Sequence, residues 1–192
     1  MHLEPQLLQE LKRQSVHILA GLFMAAAVWQ VKPMMGFYIL VPMLIIIFLL
    51  WTLPRMAPNL MPIKHVIAHF EREKDIKEFP FKGAFWYNVG ITLPVTLLDR
   101  DMACAIIIIL SLGDGMSTLV GRFVGKHRIG RKSIEGFIAF VVFSALGSSL
   151  LLDPIRALQF SLVGGLVEMI EFFDDNLMIP LTLTLAAYLV GA

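Results

Sequence analysis

From Pro33 to Thr52 the chain reads PMMGFYILVPMLIIIFLLWT, without one charged side chain. About 20 apolar residues are what an α-helix needs to cross the hydrocarbon of a bilayer. Such a run limits the fold more than any motif does, and here it recurs. Seven candidate spans are read at 15–31, 33–52, 82–99, 102–121, 134–152, 156–172 and 176–192. Proline or clustered charge marks each break, at Lys32-Pro33, Leu53-Pro54, Asp99-Arg100-Asp101, the basic loop 122–133, Asp153-Pro154 and Asp174-Asp175-Asn176. Composition agrees, with 57% hydrophobic and 16% charged residues, against about 45–50% and 25% in a soluble domain. The expected fold class is all-α: a polytopic integral membrane bundle of about seven transmembrane helices, forming a single domain over 1–192.

The distribution of Lys and Arg sets the expected orientation. With the N-terminus inside, 13 of the 16 basic residues fall in cytoplasmic segments, and only Lys32, Arg100 and Arg156 fall outside. The expectation is N-in and C-out in the cell membrane. The opening MHLEPQLLQELKRQ lacks the layout of a cleaved signal peptide. Between the second and third spans, 54–81 alternates apolar and charged residues at helical spacing and reads as an amphipathic helix on the cytoplasmic surface. The net charge of +1 argues against nucleic acid as a partner. The single cysteine, Cys104, excludes an internal disulfide.

With that topology the polar residues collect on one side. Lys12, Arg13 and His17 enter the first span, and Lys82 opens the third. Asp114 lies in the fourth, flanked by Gly113 and Gly115; Glu135 opens the fifth; Glu168 and Glu171 close the sixth, just ahead of Asp174, Asp175 and Asn176. An ionisable group inside a span costs about 2.5–3.5 kcal/mol on insertion scales and marks a functional site by default. The glycines beside Asp114 suggest close approach of a ligand or backbone, and a local break in the helix. Glu168 and Glu171 share a helix face. Hard cations such as Mg²⁺ prefer carboxylate oxygens and bridge to substrate phosphates, so the five oxygen-bearing side chains Glu168, Glu171, Asp174, Asp175 and Asn176 are expected to bind a metal ion. Either Asp174 or Asp175 is also expected to cap the last helix.

The loop Arg122 to Ser133 carries five basic residues with Gly121, Gly125 and Gly130, and suits a polyphosphate. Lys126, Arg128, Lys132, Ser133, Gly121 and Gly125 are its candidate phosphate-binding residues. It is not a P-loop: GKHRIGRKS has one residue too many between glycine and lysine, and a membrane span rather than a strand precedes it.

Three segments in order resemble the CTP-dependent polyprenol kinase family, which includes dolichol, phytol and CTP-dependent diacylglycerol kinases. LKRQSVHILAG (11–21) is similar to its amino-terminal segment. GDGMSTLVGRFVGKHRIGRKSIEG (113–136) resembles its central GDG and K-S-x-E-G pattern, and EMIEFFDDNLMIPL (168–181) resembles its carboxyl-terminal DN-x-x-I-P segment. The resemblance implies transfer of the γ-phosphate of CTP to a lipid alcohol, with Mg²⁺, giving the lipid monophosphate and CDP. By position it implies a site of Asp114, Lys132, Ser133, Glu135, Glu168, Asp175 and Asn176, with Asp114, Glu168 and Asp175 as the metal ligands and Asp114 or Asp175 orienting or deprotonating the hydroxyl. It also implies a compact bacterial or archaeal member and leaves the alcohol unnamed. Two rival readings are a cytidylyltransferase making a CDP-lipid and a non-enzymatic transporter or scaffold. The sequence leaves open whether the chain forms a homo-oligomer.

Overall fold

A computed structural model describes residues 5–57, 60–61, 79–170 and 172–191. Most of the amphipathic segment expected over 54–81, and Glu171, lie outside these residues. Among them are seven α-helices: α1 Pro5–Met35, α2 Leu40–Met56, α3 Lys82–Leu97, α4 Arg100–Phe123, α5 Ile134–Ser148, α6 Pro154–Met169 and α7 Asp175–Leu189. A 3-10 turn, Gly36–Ile39, joins α1 to α2. Two short strands, β1 Arg128–Ile129 and β2 Lys132–Ser133, pair antiparallel ahead of α5. The chain is nearly all helical, and among the described residues this hairpin is the one addition to the all-α expectation.

Most helix starts are fixed by capping side chains placed at the breaks seen in the sequence. Asp99 accepts the Asp101 and Met102 backbone N–H groups, at 2.8 and 3.1 Å, and opens α4. Asp153 accepts from Arg156 N–H, and Pro154 occupies the first turn of α6. Asp174 accepts from Asn176 N–H at 3.1 Å and opens α7, so Asp174 caps and Asp175 is free for other work. Each such cap stabilises its helix by about 1 kcal/mol.

The first break falls later than Lys32-Pro33. Pro33 rides in the last turn of α1, and the chain leaves the helix at Gly36, whose φ of +55° suits glycine. The helical run Leu7–Met56 and helix α4 are each long and apolar enough to cross a bilayer. Helices α3, α5, α6 and α7 have 15 or 16 residues. At 1.5 Å per residue that is about 22–24 Å, less than the roughly 30 Å of hydrocarbon. Capping loops and turns take up residues that the expected spans assigned to helix.

Helix α4 is the axis. Every residue from Met102 to Ser111 is buried, and α1, α3, α5, α6 and α7 all pack on it. It runs antiparallel to α1, since Cys104 Sγ meets the Ala25 carbonyl at 3.4 Å while Arg122 meets Glu10 at the other end. Ile-rich sequence is only a fair helix former; burial on every side holds it helical. The two glycines beside Asp114 do not interrupt this helix. A Cβ on Gly113 would lie 2.6 Å from the ring of buried Phe140, and one on Gly115 would lie 2.4 Å from Ile18. They admit α5 and α1, which corrects the expectation of a local break.

The outer surfaces of α1 and α2 are apolar and, among the described residues, uncovered, with Phe23 76% and Phe48 64% exposed. Charge is segregated along the bundle. Lys32 donates to the Val95 carbonyl and Arg100 stacks on Trp29 at one end. Arg13, Arg122, Arg128, Arg131 and Lys132 surround a cavity at the other.

Candidate active site at one end of the bundle

Four elements converge on this end. Asp114 comes from α4, Glu168 from the last turn of α6, Asp175 from the first residue of α7, and Lys132 from β2. The hairpin that carries Lys132 turns tightly through Gly130-Arg131, with Gly130 at φ +61° and Ile129 opposite Lys132. Glycine first in a two-residue turn is the type II′ arrangement, which matches the twist of paired strands. Ser133 then ends the hairpin and caps α5, its hydroxyl accepting from Gly136 N–H at 3.0 Å. The basic loop is therefore a folded hairpin pinned to a helix, not a slack wrapper.

One carboxylate oxygen from each of Asp114, Glu168 and Asp175 lies within 4.8 Å of the other two. Lys132 Nζ donates to Glu168 Oε1 at 2.5 Å and to Asp175 Oδ2 at 2.8 Å. Buried Ser117 donates to Glu168 Oε1 at 3.0 Å. Burial alone would lower the Lys132 ammonium, but the Asp175 and Glu168 carboxylates overcome it and hold Lys132 above the ordinary lysine range. Burial pushes the Asp175 carboxyl up to about 7 against the pull of Lys132, with Asp114 and Glu168 adding repulsion. Burial also raises Asp174, which Asn176 opposes. Three acids facing one ammonium leave an excess of negative charge. The donor set is all hard oxygen, which fits a small divalent cation sharing its shell with water or phosphate.

This cluster forms the floor of a cavity of about 810 Å³, walled by Arg13, Arg122, Arg128, Arg131 and Lys132. The volume falls within the roughly 300–1,000 Å³ of small-molecule sites. A second cavity of about 410 Å³ lies alongside, between α1 and α3. Arg13, Asp114, Asp174 and Asn176 line both.

The expected site residues divide accordingly. Asp114, Glu168, Asp175, Asn176, Lys132, Ser133, Arg128, Gly121 and Arg13 line the charged cavity, and His17 and Lys82 line its neighbour. Within this group Gly121 also has a packing role, because a Cβ there would meet Ser133 Oγ at 3.0 Å. Gly125, Lys126, Lys12 and Glu135 line neither cavity. A Cβ on Gly125 would press on the Gly121 carbonyl at 2.2 Å, so Gly125 serves the turn out of α4. Lys126 and Lys12 are exposed. Glu135 accepts from the His127 backbone N–H and contacts His127 Nδ1 at 2.7 Å, fastening the loop to α5. Glu171 lies outside the described residues.

Several site residues were not singled out in the sequence. Arg122 and Arg131 counted only as loop charge. Glu10 is buried, bonded to Arg13 and Gln14, and reaches Arg122 at 3.3 Å. Its spacing in QELKRQ, three before Arg13 and four before Gln14, was the available signal.

The chain is 28% identical over 183 residues to an uncharacterised protein of Methanocaldococcus jannaschii, covering 90% of each. It is 29% identical over 208 residues to phytol kinase 1, chloroplastic, of Arabidopsis thaliana, covering 94% of this chain and 66% of that one. It is 28% identical over 210 residues to a probable phytol kinase 1, chloroplastic, of Oryza sativa, covering 95% and 65%. The chain thus spans about two thirds of the plant kinases' length. No protein-family model matches the chain. No solved structure matches it.

Proposed function

We propose that this chain is a multi-pass membrane kinase that moves the γ-phosphate of CTP onto the hydroxyl of a long-chain isoprenoid alcohol. One observation carries the reading: buried Glu168 and half-buried Asp175, bridged by Lys132, meet half-buried Asp114 at the floor of a cavity ringed with arginine, and Asp114 also borders an amphiphilic cavity. A polyphosphate and a lipid hydroxyl would need this pairing. Similarity to phytol kinases along nearly the whole chain supports the prenyl-alcohol acceptor. The GDG and K-S-x-E-G resemblance supports CTP as donor. Thirteen of sixteen basic residues on one side support a cytoplasmic site.

Asp114, Glu168 and Asp175 would hold Mg²⁺, whose charge, when bound, offsets that of the phosphates. Arg128, Arg131 and Lys132 bind the phosphate oxygens, and Arg122 and Arg13 extend the basic wall. Asp114, facing both cavities, orients the alcohol and takes its proton. The alcohol oxygen then bonds to the γ-phosphorus, the bond from phosphorus to the β,γ-bridging oxygen breaks, and CDP leaves. Positioning and electrostatics carry most of the rate in this reaction class. The hairpin and the caps at Ser133 and Asp174 fix the positions of Lys132 and Asp175.

The test is product analysis with purified protein, Mg²⁺, CTP and a prenyl alcohol such as phytol or geranylgeraniol. Release of CDP with a lipid monophosphate supports the kinase. Release of pyrophosphate with a lipid phosphate as substrate would instead identify a cytidylyltransferase.

A further inference from the structure

The smaller cavity is lined in part by side chains that each leave one polar atom without a hydrogen bond among the described residues. Four buried side-chain polar atoms lack a hydrogen-bond partner among the described residues, and three of them belong to residues lining this cavity: His17 Nε2, Asn88 Oδ1 and Asn176 Oδ1. Buried polar groups are nearly always paired, so such a concentration asks for a ligand. The amide orientations are fixed by their other ends. Asn88 Nδ2 donates to the Ala84 carbonyl at 2.9 Å, and Asn176 Nδ2 donates to Asp174 Oδ1 at 3.0 Å. Each therefore presents an accepting oxygen, and Asn88 is only 7% exposed. His17 Nε2 stands 3.6 Å from Asp114 Oδ2, and its ring is held edge-on against Tyr87.

Away from this polar end the wall becomes apolar. Ala20, Gly21 and Met24 continue it along α1. From His17 to Met24 a helix rises about 10 Å. Gly21 belongs there because a Cβ would meet Ser111 Oγ at 1.9 Å and Tyr87 Oη at 2.8 Å, closing α1 off from α3 and α4. Val16 and Ala20 are exposed at the rim, so a long tail can leave sideways toward lipid.

The geometry points to this groove as the acceptor subsite, with the hydroxyl of a long-chain alcohol held by Asn88, Asn176 and His17 and its tail running along α1 past Ala20 and Met24. A hydroxyl's one proton is donated to one of the two amide oxygens, Asn88 Oδ1 or Asn176 Oδ1, and in the Nε2–H tautomer of His17 its oxygen accepts from that ring. The hydroxyl oxygen then lies beside Asp114, one of the residues shared with the phosphate cavity. This assignment deepens the kinase reading and rests on it for the identity of the ligand class.

The test uses the full chain in lipid nanodiscs and a C20 prenyl alcohol carrying a photoreactive diazirine near the hydroxyl. The expected result is labelling of 16–24 on α1 and 81–88 on α3, competed by unlabelled alcohol and not by the matching alkane. Asn88→Leu is expected to raise KM for the alcohol by about tenfold, as for one lost buried hydrogen bond, and to leave KM for CTP unchanged. Ala20→Phe, at the exposed rim where folding is not at stake, is expected to reduce labelling and raise the same KM. Label on the lipid-facing side of α2, or equal competition by the alkane, would overturn the subsite. So would an unchanged alcohol KM in both variants. Labelling of the groove without phosphate transfer would keep the subsite and sink the kinase; transfer with label elsewhere would do the reverse.

Discussion

Gly113→Ala separates two reasons for a glycine beside the central aspartate. The added methyl would lie 2.6–2.7 Å from three atoms of the Phe140 ring, about 1 Å inside ordinary carbon contact. Phe140 has no exposed surface, and its other flank meets Gly164, where a Cβ would stand 3.1 Å away. The ring has nowhere to retreat, so the substitution is overpacking, which costs about 1–3 kcal/mol. At about 2–4 °C per kcal/mol for a chain of this size, thermal unfolding in detergent should fall by roughly 5 °C. Trimming the ring should relieve it: Gly113→Ala with Phe140→Leu should be more stable than the sum of the two single changes predicts. Unchanged unfolding in Gly113→Ala together with lost transfer would refute the packing account and give the glycine to a ligand.

Lys132→Met leaves Glu168 and Asp175 facing each other without their ammonium, a change that costs about 3–5 kcal/mol for a buried pair. It should abolish transfer, and millimolar Mg²⁺ should recover part of the thermal stability by taking the lost cation's place; a variant indifferent to Mg²⁺ would speak against a cation site. Ser133→Ala removes the α5 cap and should cost about 0.5–2 kcal/mol with a modest effect on KM for CTP. A large KM change at unaltered stability would assign that hydroxyl to phosphate instead. Lys12→Ala and Lys126→Ala lie outside both cavities and should keep turnover within about threefold, as exposed charges do; a tenfold loss in initial-rate assays would bring them back into the site.

How much of this was legible in the sequence depended on range. Asp114 stood out because an acid inside an apolar span is costly and needs a reason, whereas Glu168 and Asp175 stood among five oxygen-bearing residues and were singled out by the motif resemblance; the structure brings these three together. The caps at Asp99 and Asp153 were legible as breaks because capping is a local property. The bridge from Lys132 to acids 36 and 43 residues away was not, since it depends on how α6 and α7 return. Gly113 and Gly115 were misread for the same reason: their partners, Phe140 and Ile18, sit on other helices. Pro33 drew the first break too early: α1 continues through it at the loss of one backbone hydrogen bond, and Gly36 supplies the actual bend. Glu10 escaped notice because an ordinary polar residue becomes informative only when its burial is known.

The most direct measurement follows the label from [γ-³²P]CTP into a prenyl alcohol, for the purified wild-type chain and for Asp114→Asn side by side, each with and without Mg²⁺. The account predicts labelled lipid monophosphate from the wild type only when Mg²⁺ is present, and none from a folded Asp114→Asn protein. Lipid labelled equally by Asp114→Asn, or labelled from ATP and never from CTP, would contradict it.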